Sequence, residues 1–241
     1  MSQFIRISRS IIPACDFDDI KELHKFLLVT KDVDGIQAYK IGFSLGLTYS
    51  LSAVTNMIHS VTGKKVIYDH QKAGTDVPHT GKKFAKVCKA GGIDSVILFP
   101  QSGPITQKQW IEDCLEEGLH VITGGMMTHE GYLSNENGYL MENAPQRMYE
   151  LSYMNGIKDF VVPGNRPEYI KSVRESFGSV TLYAPGFIAQ DGSITEAGKA
   201  AQDNWHAIVG RALMNAKDPK DAAETLCKDI FKSEVNYGNN S

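Results

Sequence analysis

Asp69, Lys72 and Asp76 fall within eight residues of one another, directly after the apolar run Lys65–Tyr68, and Lys40 sits in a second apolar run, Ile36-Gln37-Ala38-Tyr39-Lys40-Ile41. Charges this close to a core are costly unless they pair with one another or with a ligand. If the four alternate in space, each lysine is flanked by carboxylates, so the lysines stay protonated and the aspartates ionised. Such an array holds a carboxylate beside a substrate anion and an ammonium where a carbanion develops. That arrangement suits expulsion of CO₂ followed by protonation of the carbon. The same residues would also serve as a structural ion-pair network at the rim of a fold, and their spacing alone does not choose between the two.

A second chemical signal is Val209-Gly210-Arg211. Glycine at a strand end exposes backbone N–H groups, and the forked arginine guanidinium matches the geometry of a phosphate. Gln190 offers an amide donor from a neighbouring loop. An arginine paired with a surface carboxylate is the plain alternative.

These residues need elements to position them. Short apolar runs rich in β-branched residues predict strands at 10–14, 37–42, Lys65–Tyr68, 95–99, 120–123, 159–162, 179–183 and 206–209. Apolar residues at spacings of three and four predict intervening helices, for example from Asp19 to Leu27 and from Trp110 to Leu115. Pro167-Glu168 and Asp218-Pro219 read as first helical turns. Strand starts run from residue 10 to residue 206, an average spacing of 28 residues. Strand-helix alternation predicts a parallel sheet, and eight units of this length predict a closed (β/α)₈ TIM barrel occupying the whole chain, 1–241, as one domain. An open doubly wound sheet is the structural alternative. Residues 237–241 are expected to form a frayed tail.

In such a barrel the strand C-termini form the active-site mouth. Asp16 follows the first strand, Lys40 lies near the end of the second, and Asp69, Lys72 and Asp76 follow the third. Thr128 follows the fifth; Pro185, Gly186 and Gln190 follow the seventh; Gly210 and Arg211 follow the eighth. The long connections 124–145 and 186–195 are candidates to close over a ligand. His120 and His206 begin strands, at the opposite end from this mouth. His70 and His79 lack the spacing of a helical zinc site.

Composition adds exclusions. A net charge of −3 favours neither nucleic acid nor an anionic membrane as partner. Four scattered cysteines without a CxxC pair support neither a disulfide framework nor a metal site, and suit a reducing cytoplasmic compartment. No signal peptide or membrane-spanning run is evident.

Taken together, the motifs resemble the orotidine 5′-monophosphate decarboxylase family nearly end to end. The resemblance lies in Ala14-Cys15-Asp16; in Lys40-Ile41-Gly42; in Asp69, Lys72 and Asp76 followed by Val77-Pro78 and Thr80; in Met127-Thr128-His129; in Pro185-Gly186 with Gln190; and in Val209-Gly210-Arg211 with Asp218-Pro219. It implies conversion of orotidine 5′-monophosphate to UMP and CO₂ without metal, cofactor or covalent intermediate. It implies Lys72 as proton donor to pyrimidine C6, Asp69 as its holder beside the substrate carboxylate, and Lys40 and Asp16 on the ribose. Thr128 would contact the pyrimidine, and Gln190, Gly210 and Arg211 the phosphate. Asp76 and Thr80 would reach the site of a second subunit in a homodimer with shared active sites.

One feature departs from the family pattern, Asp-x-Lys-x-x-Asp. Here two residues separate Asp69 from Lys72, and three separate Lys72 from Asp76. A one-residue shift in a strand turns a side chain to the other face, so the assignment requires the chain to bulge there or to leave strand geometry after Asp69; Gly74 makes such a bend easy. Two further functions use the same residues: a Mg²⁺-dependent sugar-phosphate decarboxylase or aldolase with Asp69 as metal ligand, and a non-catalytic nucleotide-binding barrel.

Overall fold

Eight apolar strands wind into a parallel barrel in the computed structural model, which describes residues 4–70, 74, 76–186 and 193–232. The strands are β1 (Arg9–Pro13), β2 (Ala38–Ile41), β3 (Lys65–Tyr68), β4 (Ser95–Leu98), β5 (His120–Gly124), β6 (Asp159–Val161), β7 (Thr181–Pro185) and β8 (Trp205–Val209). All pairings are parallel, in the order β1-β8-β7-β6-β5-β4-β3-β2. Bridges Ile11↔Ile36 and Ala14↔Lys40 bring β1 against the β2 segment and close the ring. The expected (β/α)₈ barrel is therefore the observed fold.

Helices clothe the outside. In chain order they are α1 (Ile20–Thr30), α2 (Phe43–Tyr49), α3 (Leu51–Thr62), α4 (Gly81–Ala90), α5 (Pro104–Glu116), α6 (Ala144–Met154), α7 (Pro167–Phe177), α8 (Ile194–Ala201), α9 (Arg211–Met214) and α10 (Pro219–Lys232). Their ends follow local chemistry. The Asp19 carboxylate accepts from the Lys21 N–H at 2.8 Å and starts α1, whose buried face is Leu23, Phe26, Leu27 and Thr30. Each such fully buried aliphatic side chain contributes about 2 kcal/mol. Pro167 opens α7, and Asp218 caps α10 by accepting from the Lys220 and Asp221 N–H groups at 3.0 and 3.1 Å. No helix among the described residues is long and apolar enough to cross a membrane.

Strand side chains alternate between two buried clusters. Val66, Tyr68, Val96 and Val121 pack outward under the helices. Ile12, Ile67, Ile97, Ile122, Val161, Tyr183 and Ile208 fill the interior. Phe4 and Ile5 join this inner cluster. Phe4 stacks on His120 with ring centroids 4.6 Å apart, and Lys65 Nζ lies over its ring while donating to its carbonyl at 3.0 Å. His120 thus belongs to the end closed by Phe4, and His206, the second residue of β8, lies toward the same N-terminal strand ends, as their places in the chain suggested.

Strand positions read from the sequence agree with the structure to within two residues, with β7 furthest off. It runs Thr181–Pro185 rather than 179–183. Gly178, at φ 62°, ends α7, and its carbonyl accepts from the Val180 N–H at 2.8 Å, so a turn delays entry into the sheet. Pro185 is consequently the last strand residue, paired with Ile208, and not a loop residue.

Candidate active site

Lys40 shares the inward parity of Ala38, and Asp69 that of Ile67. Lys40 pairs with Ile67 across β2 and β3, and the Asp69 N–H donates to the Ile41 carbonyl at 3.0 Å. This register brings together two side chains 29 residues apart: Lys40 Nζ donates to Asp69 Oδ2 at 3.3 Å. Its other flank carries Asp16 Oδ1 at 3.9 Å, beyond the end of β1. The Cys15 N–H donates to the Lys40 carbonyl at 2.8 Å and holds that loop in place.

The burial is graded. Side-chain exposure is 7% for Lys40, 13% for Asp69 and 51% for Asp16. Burial alone would push the Lys40 ammonium down, but the Asp69 and Asp16 carboxylates, with the hydrogen bond to Asp69, more than offset it, and its pKa is raised. The ammonium is therefore fixed as a cation at neutral pH. Beside it, burial and then Asp16 push the Cys15 thiol up, so it stays protonated and is no nucleophile. Of the expected array of Lys40, Asp69, Lys72 and Asp76, the described residues show the Lys40–Asp69 pair, and the second carboxylate beside Lys40 is Asp16, which that array did not include. Lys72 lies outside the described residues. Gly74 takes φ 95°, in the left-handed region that favours glycine.

Asp76 and Thr80 go elsewhere. Asp76 is exposed, and its carboxylate accepts from the Val77 N–H at 2.7 Å. Thr80 Oγ1 donates to the Val77 carbonyl at 2.7 Å, and Trp110 Nε1 donates to the same oxygen at 3.1 Å. The Trp110 bond ties Val77 to α5. With Val77, Pro104 and Ile105, Asp76 lines an outward groove.

On the β5 side, Thr128 is half-buried, and its carbonyl accepts from Asn165 Nδ2 at 3.4 Å. Its loop is folded: Met126, Tyr132 and Leu133 form a small apolar core. In the sequence 124–145 is marked only as a long connection, and no periodic pattern or motif marks Tyr132. Its hydroxyl lies between Gln101 and the Gly125 carbonyl. On the β7 and β8 side, the Pro185 carbonyl accepts from the Gly164 N–H at 2.7 Å, and Gly186 takes φ 99°. Gly210 precedes α9, and the exposed Arg211 is its first residue. Gln190 lies outside the described residues. Among the described residues, no three His, Cys, Asp or Glu side chains come together as a metal-binding set.

An ammonium clamped between carboxylates at the strand C-termini is the polar focus of this barrel. The model of the orotidine 5′-phosphate decarboxylase / HUMPS family matches residues 9–226. The orotidine 5′-phosphate decarboxylase of Pyrococcus furiosus is 31% identical over 216 residues, which cover 88% of this chain and 94% of that protein. That of Methanosarcina mazei is 27% identical over 214 residues, covering 88% and 92%. Among solved structures, the Methanocaldococcus jannaschii orotidine 5′-monophosphate decarboxylase, complexed with the inhibitor BMP, superposes with a TM-score of 0.81 at 25% identity, covering 92% of this chain and 99% of that one. The Pyrococcus horikoshii enzyme gives 0.77 at 28% identity with the same coverage. Barrel, charge cluster and sequence likeness over most of the chain agree: it belongs to the orotidine 5′-phosphate decarboxylase / HUMPS family.

Proposed function

We propose that this chain is an orotidine 5′-phosphate decarboxylase, converting orotidine 5′-monophosphate to UMP and CO₂. The observation that carries the reading is the Asp16–Lys40–Asp69 cluster, with Lys40 Nζ 3.9 and 3.3 Å from the two acids, at the mouth of a barrel whose family and relatives carry that activity in their names. Asp69 presents negative charge to the substrate carboxylate, and loss of CO₂ relieves it. Lys72 then protonates C6, and its ammonium stabilises the carbanion as charge develops there. Lys40 and Asp16 take the ribose hydroxyls; a cation fixed by flanking acids needs no reorganisation to do so. Thr128 meets the pyrimidine. Gln190, Gly210 and Arg211, with Pro185 at the end of β7 and Gly186 after it, hold the phosphate, and that remote grip supplies binding energy for loop closure. No metal or cofactor takes part.

The whole chain acts as one domain, and two copies form a homodimer in which Asp76 and Thr80 serve the partner's site. Support comes from the groove beside Asp76: Val77 and Ile105 on its walls are 47% and 76% exposed. Such apolar surface gains from being covered. The four cysteines are free and buried, which suits a reducing cytoplasm.

One assay tests the activity. Loss of orotidylate absorbance is followed with purified protein, with and without EDTA. Full turnover in chelator is expected, and EDTA sensitivity would favour the Mg²⁺-dependent sugar-phosphate reading. Lys72→Ala should abolish turnover while retaining UMP binding; an active variant would remove Lys72 from the mechanism.

A further inference from the structure

The loop between β5 and α6 carries Thr128, but the bonds that hold it come from outside the proposed binding residues. Tyr132 is 7% exposed. Its hydroxyl donates to the Gly125 carbonyl at 2.8 Å and accepts from Gln101 Nε2, beyond the end of β4, at 3.3 Å. His129, next to Thr128, sets its ring edge-on to the Tyr132 ring at 5.8 Å. The Tyr132 N–H donates to Glu136 Oε2 at 3.4 Å, and the other oxygen of that carboxylate pairs with Arg166 Nη2 at 3.2 Å. Gly138 packs so closely that an added Cβ would fall 2.4 Å from the Tyr132 carbonyl oxygen. From the β6 side, Asn165 Nδ2 reaches the Thr128 carbonyl. Thr128 is thus suspended between two strand ends, and Tyr132 is the link to β4.

We infer that Tyr132 is a positioning residue: through the Gln101–Tyr132–Gly125 relay it fixes the loop that presents Thr128 to the pyrimidine. The inference rests on the proposed decarboxylase activity. A half-buried threonine in a loop reaches one ring position reproducibly only if the loop cannot rock, and small displacements of a contacting group are costly to rate. Burial pushes the Tyr132 hydroxyl up, against the Gln101 hydrogen bond, so it remains a neutral donor to Gly125 across the working range. Phenylalanine keeps the ring and its packing, removes only the oxygen, and leaves a buried carbonyl without its donor.

Steady-state kinetics on a double-mutant cycle of Tyr132→Phe and Thr128→Ala, with orotidine 5′-monophosphate as substrate, test this. Tyr132→Phe is expected to lower kcat/KM about tenfold in the native background and less than about twofold in the Thr128→Ala background, because the group it positions is then gone. Gln101→Leu breaks the relay from the β4 side and should repeat the pattern. Melting temperatures taken in parallel separate loss of fold from loss of position, since a purely structural effect lowers activity by the same factor in both backgrounds. Equal losses in both backgrounds, or no loss in either tyrosine or glutamine variant, would overturn the inference while leaving the decarboxylase reading intact. An inactive native protein would instead remove that reading, and this inference with it.

Discussion

His206, the second residue of β8, has no exposed surface, its Nδ1 2.8 Å from Ser10 Oγ and its ring 5.1 Å from that of Tyr183. Burial lowers its pKa to about 3, with Asp159 opposing the shift only in part. The folded protein therefore holds the imidazole neutral, whereas the unfolded chain takes up a proton near pH 6.5. Below that pH the unfolded state binds the extra proton, so the contribution of this site is complete above about pH 6.5 and is lost as pH falls toward 3. The slope is about 1.4 kcal/mol per pH unit, which makes the loss between pH 7.5 and pH 5 about 2 kcal/mol. Urea unfolding of the native protein and of His206→Gln at both pH values isolates the effect. Titrations shared by the two proteins cancel, and the native protein should lose about 2 kcal/mol more than the variant. Parallel losses would refute a neutral, buried His206. The variant should also keep decarboxylase activity at pH 7.5 within about threefold, because it lies at the end of the barrel remote from the strand C-termini.

Lys40→Met should leave the mostly buried Asp69 without this ammonium, costing roughly 3 kcal/mol of stability in urea titrations and more than about 100-fold in kcat; near-native turnover would remove Lys40 from the site. Gly138→Ala forces a methyl group against the Tyr132 backbone, 2.4 Å from its carbonyl oxygen. A drop of about 1–3 kcal/mol in unfolding free energy is expected, with a fall in kcat/KM, and an unchanged melting curve would show that the loop accommodates the side chain.

Much was legible because it depends on neighbours in the chain. Apolar runs with β-branched residues marked the strands, Asp19 and Asp218 marked helix starts, and a 28-residue period left the barrel as the natural closure. A period of two puts Lys40 on the face of Ala38 and Asp69 on that of Ile67 once the strands are known. Motif likeness supplied the family.

Other features depend on register and on loop packing, which no local pattern encodes. Lys40 meets Asp69 across 29 residues because β2 pairs with β3 in one register, and Asp16 joins them because the ring closes at Ala14↔Lys40. β7 begins two residues later than its apolar run suggested because Gly178 makes a turn first. Tyr132 carries no signal of its own in the sequence; its partner Gln101 lies 31 residues away, beyond the end of another strand. Side-chain periodicity reports which residues are buried together. Which distant polar groups come within hydrogen-bonding distance is decided only when the barrel closes and the strand ends acquire their neighbours.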